Sequence, residues 1–448
     1  MKHYLLLAIA ATFVVSGCAK ESERPKATGE GTVRAINAIS TSPDFGFLIE
    51  ERFLEPLKYK TASSESTWDN LSYTFNFDVL LAGDVARTRV ASVLIDVEND
   101  RDYTMLLSGA IDAPDVTLWE NEIREWQSDE TAFELRIANA SPTLGPVDVY
   151  FDAPGTAPVL GNALGTVDFG EILPAQEYEP TERTLILTAA NDPGTVLYES
   201  VPLTLAERTS YILAPFDPDA NDVGPIPVLL INATRGGGGS IADVNTQSTA
   251  RFFHASQAMG NADIFIDDPL TVPVVANQAF GEFTGDLPVT SGDVPVTYTA
   301  PGNVGSILID SDRVFTVNAH HSLFAVRNSV GEDLVSNFVI DRRSVETQTK
   351  LTIINTTTNH PIVDVYVVPT GESIDETFPV IPRLTALAPP FTTPLLPEQY
   401  DLYLTVPNEK TVLLGPIALD AQPGSVIEAL IYDTVDPNVP SLAVIPPP

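Results

Sequence analysis

Three kinds of side chain in this sequence could do chemistry: one cysteine, a few histidines and many carboxylates. Cys18 is the only thiol, so no disulfide can form within one chain and no second cysteine can support redox or metal chemistry. The histidines beyond residue 18 are His254, His320, His321 and His360. No HExxH and no paired spacing gives zinc a ligand set. His320 and His321 precede a strand-like run and read as a solvated turn. No Gly-x-Ser-x-Gly elbow presents a nucleophile. Carboxylates are so numerous that any two could be named as a glycosidase pair, and sequence gives no reason to choose between them. The sequence therefore offers no catalytic residue, and a hydrolase ranks below a non-enzymatic protein.

Two acidic turns are cation candidates. Asp217-Pro-Asp219-Ala-Asn221-Asp222 places oxygen ligands at alternating positions, as the start of a calcium loop does. The sixth position, however, is Asp222 where such a loop needs glycine, and the twelfth is Val228 where it needs a bidentate glutamate. Asp217, Asp219, Asn221 and Asp222 are thus weak calcium candidates, and an acidic turn is the stronger expectation. Asp96, Glu98, Asp100 and Asp102 form a second turn of the same standing. No cofactor is expected.

The N-terminus carries the most specific signal. Lys2 and His3 precede an apolar run from Tyr4 to Val15, too short to span a bilayer, and small residues lead to Cys18. Val15-Ser16-Gly17-Cys18 resembles the lipobox of bacterial lipoproteins. That resemblance implies a signal peptide over 1–17 and a lipid on Cys18, giving a membrane anchor without a transmembrane helix. Ala19, rather than aspartate, after the cysteine resembles the pattern sorted to the outer membrane. Residues 18–32 are polar and aperiodic, a flexible tether of roughly 20 Å.

Beyond the tether one pattern is written four times. Arg34-Ala-Ile-Asn37, Arg136-Ile-Ala-Asn139, Arg251-Phe-Phe-His254 and Thr352-Ile-Ile-Asn355 recur 102, 115 and 101 residues apart. Nine residues after each Asn or His stand Gly46, Asp148, Asp263 and Asp364, and two further on Leu48, Tyr150, Phe265 and Tyr366. The segment alternates with period two. Val147, Val149 and Phe151 face one way, so Asp148-Tyr150, Asp263-Phe265 and Asp364-Tyr366 should point away from the core, where an aromatic could stack on sugar or be covered by a neighbour. Asn139, His254 and Asn355 should end the preceding strand and bond the backbone of the next turn. Further strands are expected at Leu185 to Ala189, Val294 to Thr299 and Tyr400 to Val406, and from Tyr103, Tyr211, Leu323 and Val426 onward.

About seven short strands per unit, proline-rich turns and no convincing amphipathic helix predict an all-β chain of tandem immunoglobulin-like antiparallel β-sandwich domains. The sandwiches are expected over 33–124, 131–233, 249–341 and 350–448, with a Gly-rich linker over 234–248. Gly236 to Gly239 read as a hinge, because no Lys-Ser/Thr comes after them to make a phosphate loop.

Arg136-Ile-Ala-Asn-Ala-Ser-Pro142 with Val147-Asp-Val-Tyr150 is similar to the opening of the bacterial family numbered 4397 among the domains of unknown function. Arg251 to Phe265 matches with histidine in the asparagine place, and the second and third units carry the resemblance most fully. The fourth has Thr352 for the arginine and the first Gly46 for the aspartate. The resemblance implies exported, often tandem, β-rich domains and no reaction.

The chain carries 60 acidic against 24 basic residues, a net charge of -36, which repels polyphosphates and excludes nucleic acid as a partner. At 44% hydrophobic residues it is globular in composition, so the acids form a solvated surface. The expectation is a lipid-anchored protein of the cell envelope, placed at the outer membrane, acting as spacer, adhesion or binding module toward an envelope protein or glycan. The alternatives are a carbohydrate or cell-wall binding protein and, below that, an envelope hydrolase.

Overall fold

Period-two alternation of β-branched and aromatic residues, broken by Gly, Pro and Asn, gives strands throughout. The computed structural model describes residues 26–84, 86–233, 238–267 and 270–445; the segment 1–17 expected to be a signal peptide, and Cys18, lie outside the described residues. Within these there is no α-helix, only three single-turn 3-10 segments at Leu160–Asn162, Gln257–Met259 and Ile374–Glu376.

Each of the four units repeats one two-sheet topology. In the fourth, the strands are Thr349–Asn355, Ile362–Pro369, Ile381–Thr385, Phe391–Leu395, Glu398–Thr405, Val412–Ala421, Val426–Tyr432 and Ser441–Ile445. The fourth, first, seventh and eighth make one sheet in that order, and the third, second, fifth and sixth make the other. The first and seventh run parallel in every unit, as Asn355 opposite Ile431 shows in the fourth; all other pairs are antiparallel. The units are therefore eight-stranded sandwiches with one parallel pair, not seven-stranded and wholly antiparallel.

Val149, Ile264 and Val365 are fully buried, each in its own unit's apolar core between the two sheets. The first strands, however, are buried on both faces. Glu30–Asn37 and Thr349–Asn355 have almost no exposed residue. One face of each fills its own sandwich. The other meets a neighbouring unit: Ile36, Leu106 and Trp119 of the first pack on Ile212, Phe216 and Ile231 of the second. Phe253, Phe324 and Val326 of the third pack on Ile354 and Leu430 of the fourth. The chain thus forms two double sandwiches, units one with two and three with four.

Three expected boundaries move. The tether ends early, because Thr28 and Glu30 donate backbone N–H groups to the side chains of Asn70 (2.7 Å) and Asn99 (3.0 Å), and the first strand starts at Glu30. The Gly-rich hinge is in part a strand: Gly238–Ile241 pairs with Val228–Ile231 as a ninth strand of the second unit. A Cβ on Gly238 would lie 2.5 Å from the Leu230 carbonyl, so glycine is what permits that pairing. Gly236 and Gly237 lie outside the described residues. Finally, residues 341–349 are no loose linker, since Arg342, Val345 and Thr347 are buried.

Phe253 tests the pairing. Its ring lies 4.1 Å from that of Phe283 and 5.6 Å from that of Tyr432 in the fourth unit. Phe253→Ala should cost about 3–5 kcal/mol. In urea unfolding the loss should fall on units three and four together, with the transition of units one and two unmoved.

Candidate functional site

The motif Asn and His residues are placed by local folding, and each bonds nearby backbone. Asn139 sits at the end of the first strand, where its Oδ1 accepts the Ser141 N–H (2.9 Å) and its Nδ2 donates to the Gly145 carbonyl (3.0 Å). Asn37 accepts the Ile39 N–H (2.9 Å), and Asn355 accepts the Thr357 N–H (3.0 Å) and donates to the His360 carbonyl (3.1 Å). His254 reproduces this with a ring. Its Nδ1 accepts the Ser256 N–H and its Nε2 donates to the Gly260 carbonyl. That geometry requires the neutral Nε2–H tautomer. Burial lowers the His254 pKa, against opposing effects from the Gly260 carbonyl and Asp333. The polar side chain holds the crossover between the two sheets.

The aspartates form a second clamp. Asp364 accepts the backbone N–H of Arg383 (2.6 Å) and of Asn408 (2.7 Å); Asp263 accepts those of Asn277 and Gly302, both at 2.7 Å. Asp148 accepts the Asn191 N–H (2.7 Å) and the Thr166 hydroxyl (2.5 Å). All five of those backbone donors have left-handed φ between 53° and 69°. Arg383 and Asn277 lie in bulges of the third strand, and Asn191, Gly302 and Asn408 in the turn between fifth and sixth. The carboxylates do leave the core face, but they are not presented to solvent: Asp148 is 1% exposed and Asp364 2%. Tyr150, Phe265 and Tyr366 are buried too, and the Lys410 ammonium lies 4.2 Å from the Tyr366 ring centroid. No stacking platform is formed there. The large exposed rings, Phe53, Phe378 and Phe391, are scattered over two units.

The first unit departs from this where its sequence does. Gly46 leaves room for Arg87, whose guanidinium would lie 3.2 Å from a Cβ and donates to the Asp44 (3.0 Å) and Asp78 (3.3 Å) carbonyls.

Two of the three motif arginines, Arg34 and Arg251, serve the pairing. Arg34 is fully buried and donates to Asp102 (2.9 Å), Glu65 (3.0 Å) and the Ala233 carbonyl of the second unit (2.6 Å). Asp102, placed by sequence in an acidic turn, is its counter-ion. Arg251 pairs with Glu428 of the fourth unit. Arg136 stays on its own strand with Glu134 (2.6 Å).

The two adjacent histidines are not a solvated turn. His321 is buried against Phe315 with Nδ1 3.0 Å from Asn337 Oδ1, while His320 Nδ1 lies 2.6 Å from the Thr249 hydroxyl. Neighbours on a strand face opposite ways, so they do not form a ligand pair. Among the described residues no cluster of three His, Cys, Asp or Glu could hold a metal ion.

The calcium candidates meet an ammonium instead. Lys60 of the first unit bonds Asp219 (3.2 Å) and Asp222, and the Tyr59 hydroxyl donates to the Asp217 carbonyl. Asp217 Oδ1 accepts the Thr143 hydroxyl (2.7 Å). Burial raises the Asp222 pKa and Lys60 opposes it. Asn221 turns to the linker after the third unit, giving Nδ2 to Asp341 (2.8 Å) and taking the Arg342 N–H (2.6 Å). This loop borders a cleft of about 960 Å³ lined by all four units. Of the lysines among the described residues, Lys26, Lys58, Lys60, Lys350 and Lys410, three line it. That concentration of a rare residue was visible in the sequence only as scattered positions.

Asp364→Asn should cost about 1–3 kcal/mol, since an amide NH₂ must face one of the two backbone donors and leave it unpaired; chemical denaturation measures it. The second test uses pH. The unfolded His254 takes a proton as pH falls below about 6.5 and the folded one resists, so this residue removes stability on acidification. Thermal unfolding at pH 7.5 and 5.5 should show a smaller acid loss in His254→Asn than in the parent chain, His320 being common to both.

No curated protein matches the chain. Among solved structures, the Bacillus anthracis TIE protein aligns with 91% of this chain and 69% of its own length, at 8% identity and a TM-score of 0.15. The family match falls on the first unit and ends at the motif tyrosine of the second, rather than on the second and third, where the motif residues agree best. Residues 31–150, the first unit and the opening of the second, are similar to the model described as Domain of unknown function (DUF4397).

Proposed function

We propose that this chain is a non-enzymatic, lipid-anchored envelope protein whose paired sandwiches act as a stiff spacer and docking scaffold. The observation that carries the reading is where the chemistry-bearing residues went. Asp148, Asp263 and Asp364, the motif Asn and His residues and the 217–222 carboxylates are each engaged by backbone or by a neighbouring unit. A catalytic group needs access to a substrate, and these have given theirs to the fold. Double burial of the first-strand sheets supports stiffness, because each pair shares one continuous apolar interface. An acidic surface suits a protein that must stay soluble between neighbours.

The anchor rests on Cys18. No helix among the described residues is long and apolar enough to cross a membrane. Cys18→Ser should therefore transfer the protein from the membrane to the soluble fraction of its host, with its β-sheet circular dichroism unchanged. Membrane retention of the variant would sink the anchored-spacer reading.

A further inference from the structure

The two double sandwiches are joined by a different kind of contact from those inside them. Within each half the units share an apolar cluster. Across the halves, every apolar cluster among the described residues stops at the boundary. The contacts that cross are polar. Arg343 NH1 donates to the Ser40 (3.1 Å) and Ser42 (2.7 Å) carbonyls of the first unit, and the Glu346 N–H to the Thr41 carbonyl (2.8 Å). Asn221 exchanges bonds with Asp341 and Arg342, the Asp243 N–H donates to Asn318 Oδ1 (3.1 Å), and Asn318 Nδ2 donates to the Thr246 carbonyl (3.2 Å). The covalent link is short. After Val244, whose N–H bonds the Glu199 carbonyl, only residues 245–247 precede the third unit's first strand at Ser248.

Bonds of this kind exchange with water at little net cost, whereas the apolar seams do not. An interface made only of them permits relative motion of the bodies it joins. We propose that the halves are two rigid arms, latched by Arg343, Asn221, Asn318 and the Thr41–Glu346 contact, that swing about residues 245–247 when the latch is released. The cleft between the units is then an adjustable gap. Its lining includes Lys60, Asp222, Asp341 and Arg343, so opening separates walls contributed by the first half from those of the second.

The test is small-angle X-ray scattering on the full chain in a Cys18→Ser background, which removes the only thiol. The radius of gyration of Asn221→Ala/Asn318→Gly/Arg343→Ala should exceed that of its parent by about 5 Å or more, the change expected when two compact bodies of this size move apart, with circular dichroism unaltered. Adding Thr41→Cys and Glu346→Cys should restore the compact value under oxidation, and dithiothreitol should release it. An unchanged radius in the triple variant overturns the latch. Expansion accompanied by loss of the β-sheet signal overturns the independence of the arms.

Discussion

The constraint on which the rest of this structure depends is that one sheet in each unit must be covered on both faces. The first strand runs between the fourth and the seventh, and its sequence is apolar or pairing-competent at successive positions. Val33 and Ala35 fill the sandwich, while Arg34 and Ile36 face the second unit. A sandwich built alone would leave Ile36, Leu106 and Trp119 in water, an apolar patch of the kind that soluble chains cover. Pairing is thus built into the repeat. Arg34 and Arg251 then have a reason: at the seam each supplies donors to a partner carbonyl or carboxylate, and buried there it must be paired. The fourth unit, with Thr352 at this position, supplies the carboxylate Glu428 to Arg251 instead.

Inside the second, third and fourth units the aspartate does work that no neutral residue of its size could do alone. A carboxylate has acceptor capacity on two oxygens, so one side chain can hold an N–H from a bulge on one side and an N–H from a turn on the other. Both donors lie on left-handed backbone, which is costly for Arg383 and Asn408 and persists where the surroundings specify it. The first unit separates its fifth strand, ending at Val79, from its sixth, starting at Thr88, by more residues than the other units do. It has a glycine at the aspartate position, and Arg87 lies over that glycine.

The repeat, its register and the inward positions were legible because period-two alternation is a local property of the chain: Val149, Ile264 and Val365 could be placed without knowing any neighbour. The Asn and His clamp was legible for the same reason, since its partners lie two and five or six residues on. Nothing that depends on the other face could be read in this way. Asp148 and Tyr150 leave the core face, and alternation says nothing of what covers them. His321 looked like part of a turn because its partner, Asn337, lies on the next strand. The 217–222 loop matched a cation site in spacing, but its cation is Lys60, 159 residues before Asp219. No local pattern records a contact made between units, and the central cleft is made wholly of such contacts.

Charge explains why the halves meet through polar groups. At -36 the chain repels itself, and an apolar seam between halves would bring acidic surfaces together with nothing to offset them. The junction instead gathers Lys58, Lys60, Lys350, Arg87 and Arg343 around one cleft, so that the few cations stand where acidic units approach each other. Lys350 shows the cost: burial lowers its pKa, partly offset by Asp341, and its ammonium also donates to the Arg343 carbonyl (2.9 Å). That bond fixes the peptide whose guanidinium reaches Ser40 and Ser42. The residue that neutralises the junction therefore also aims the group that closes it, and the joint is specified by geometry rather than by buried area.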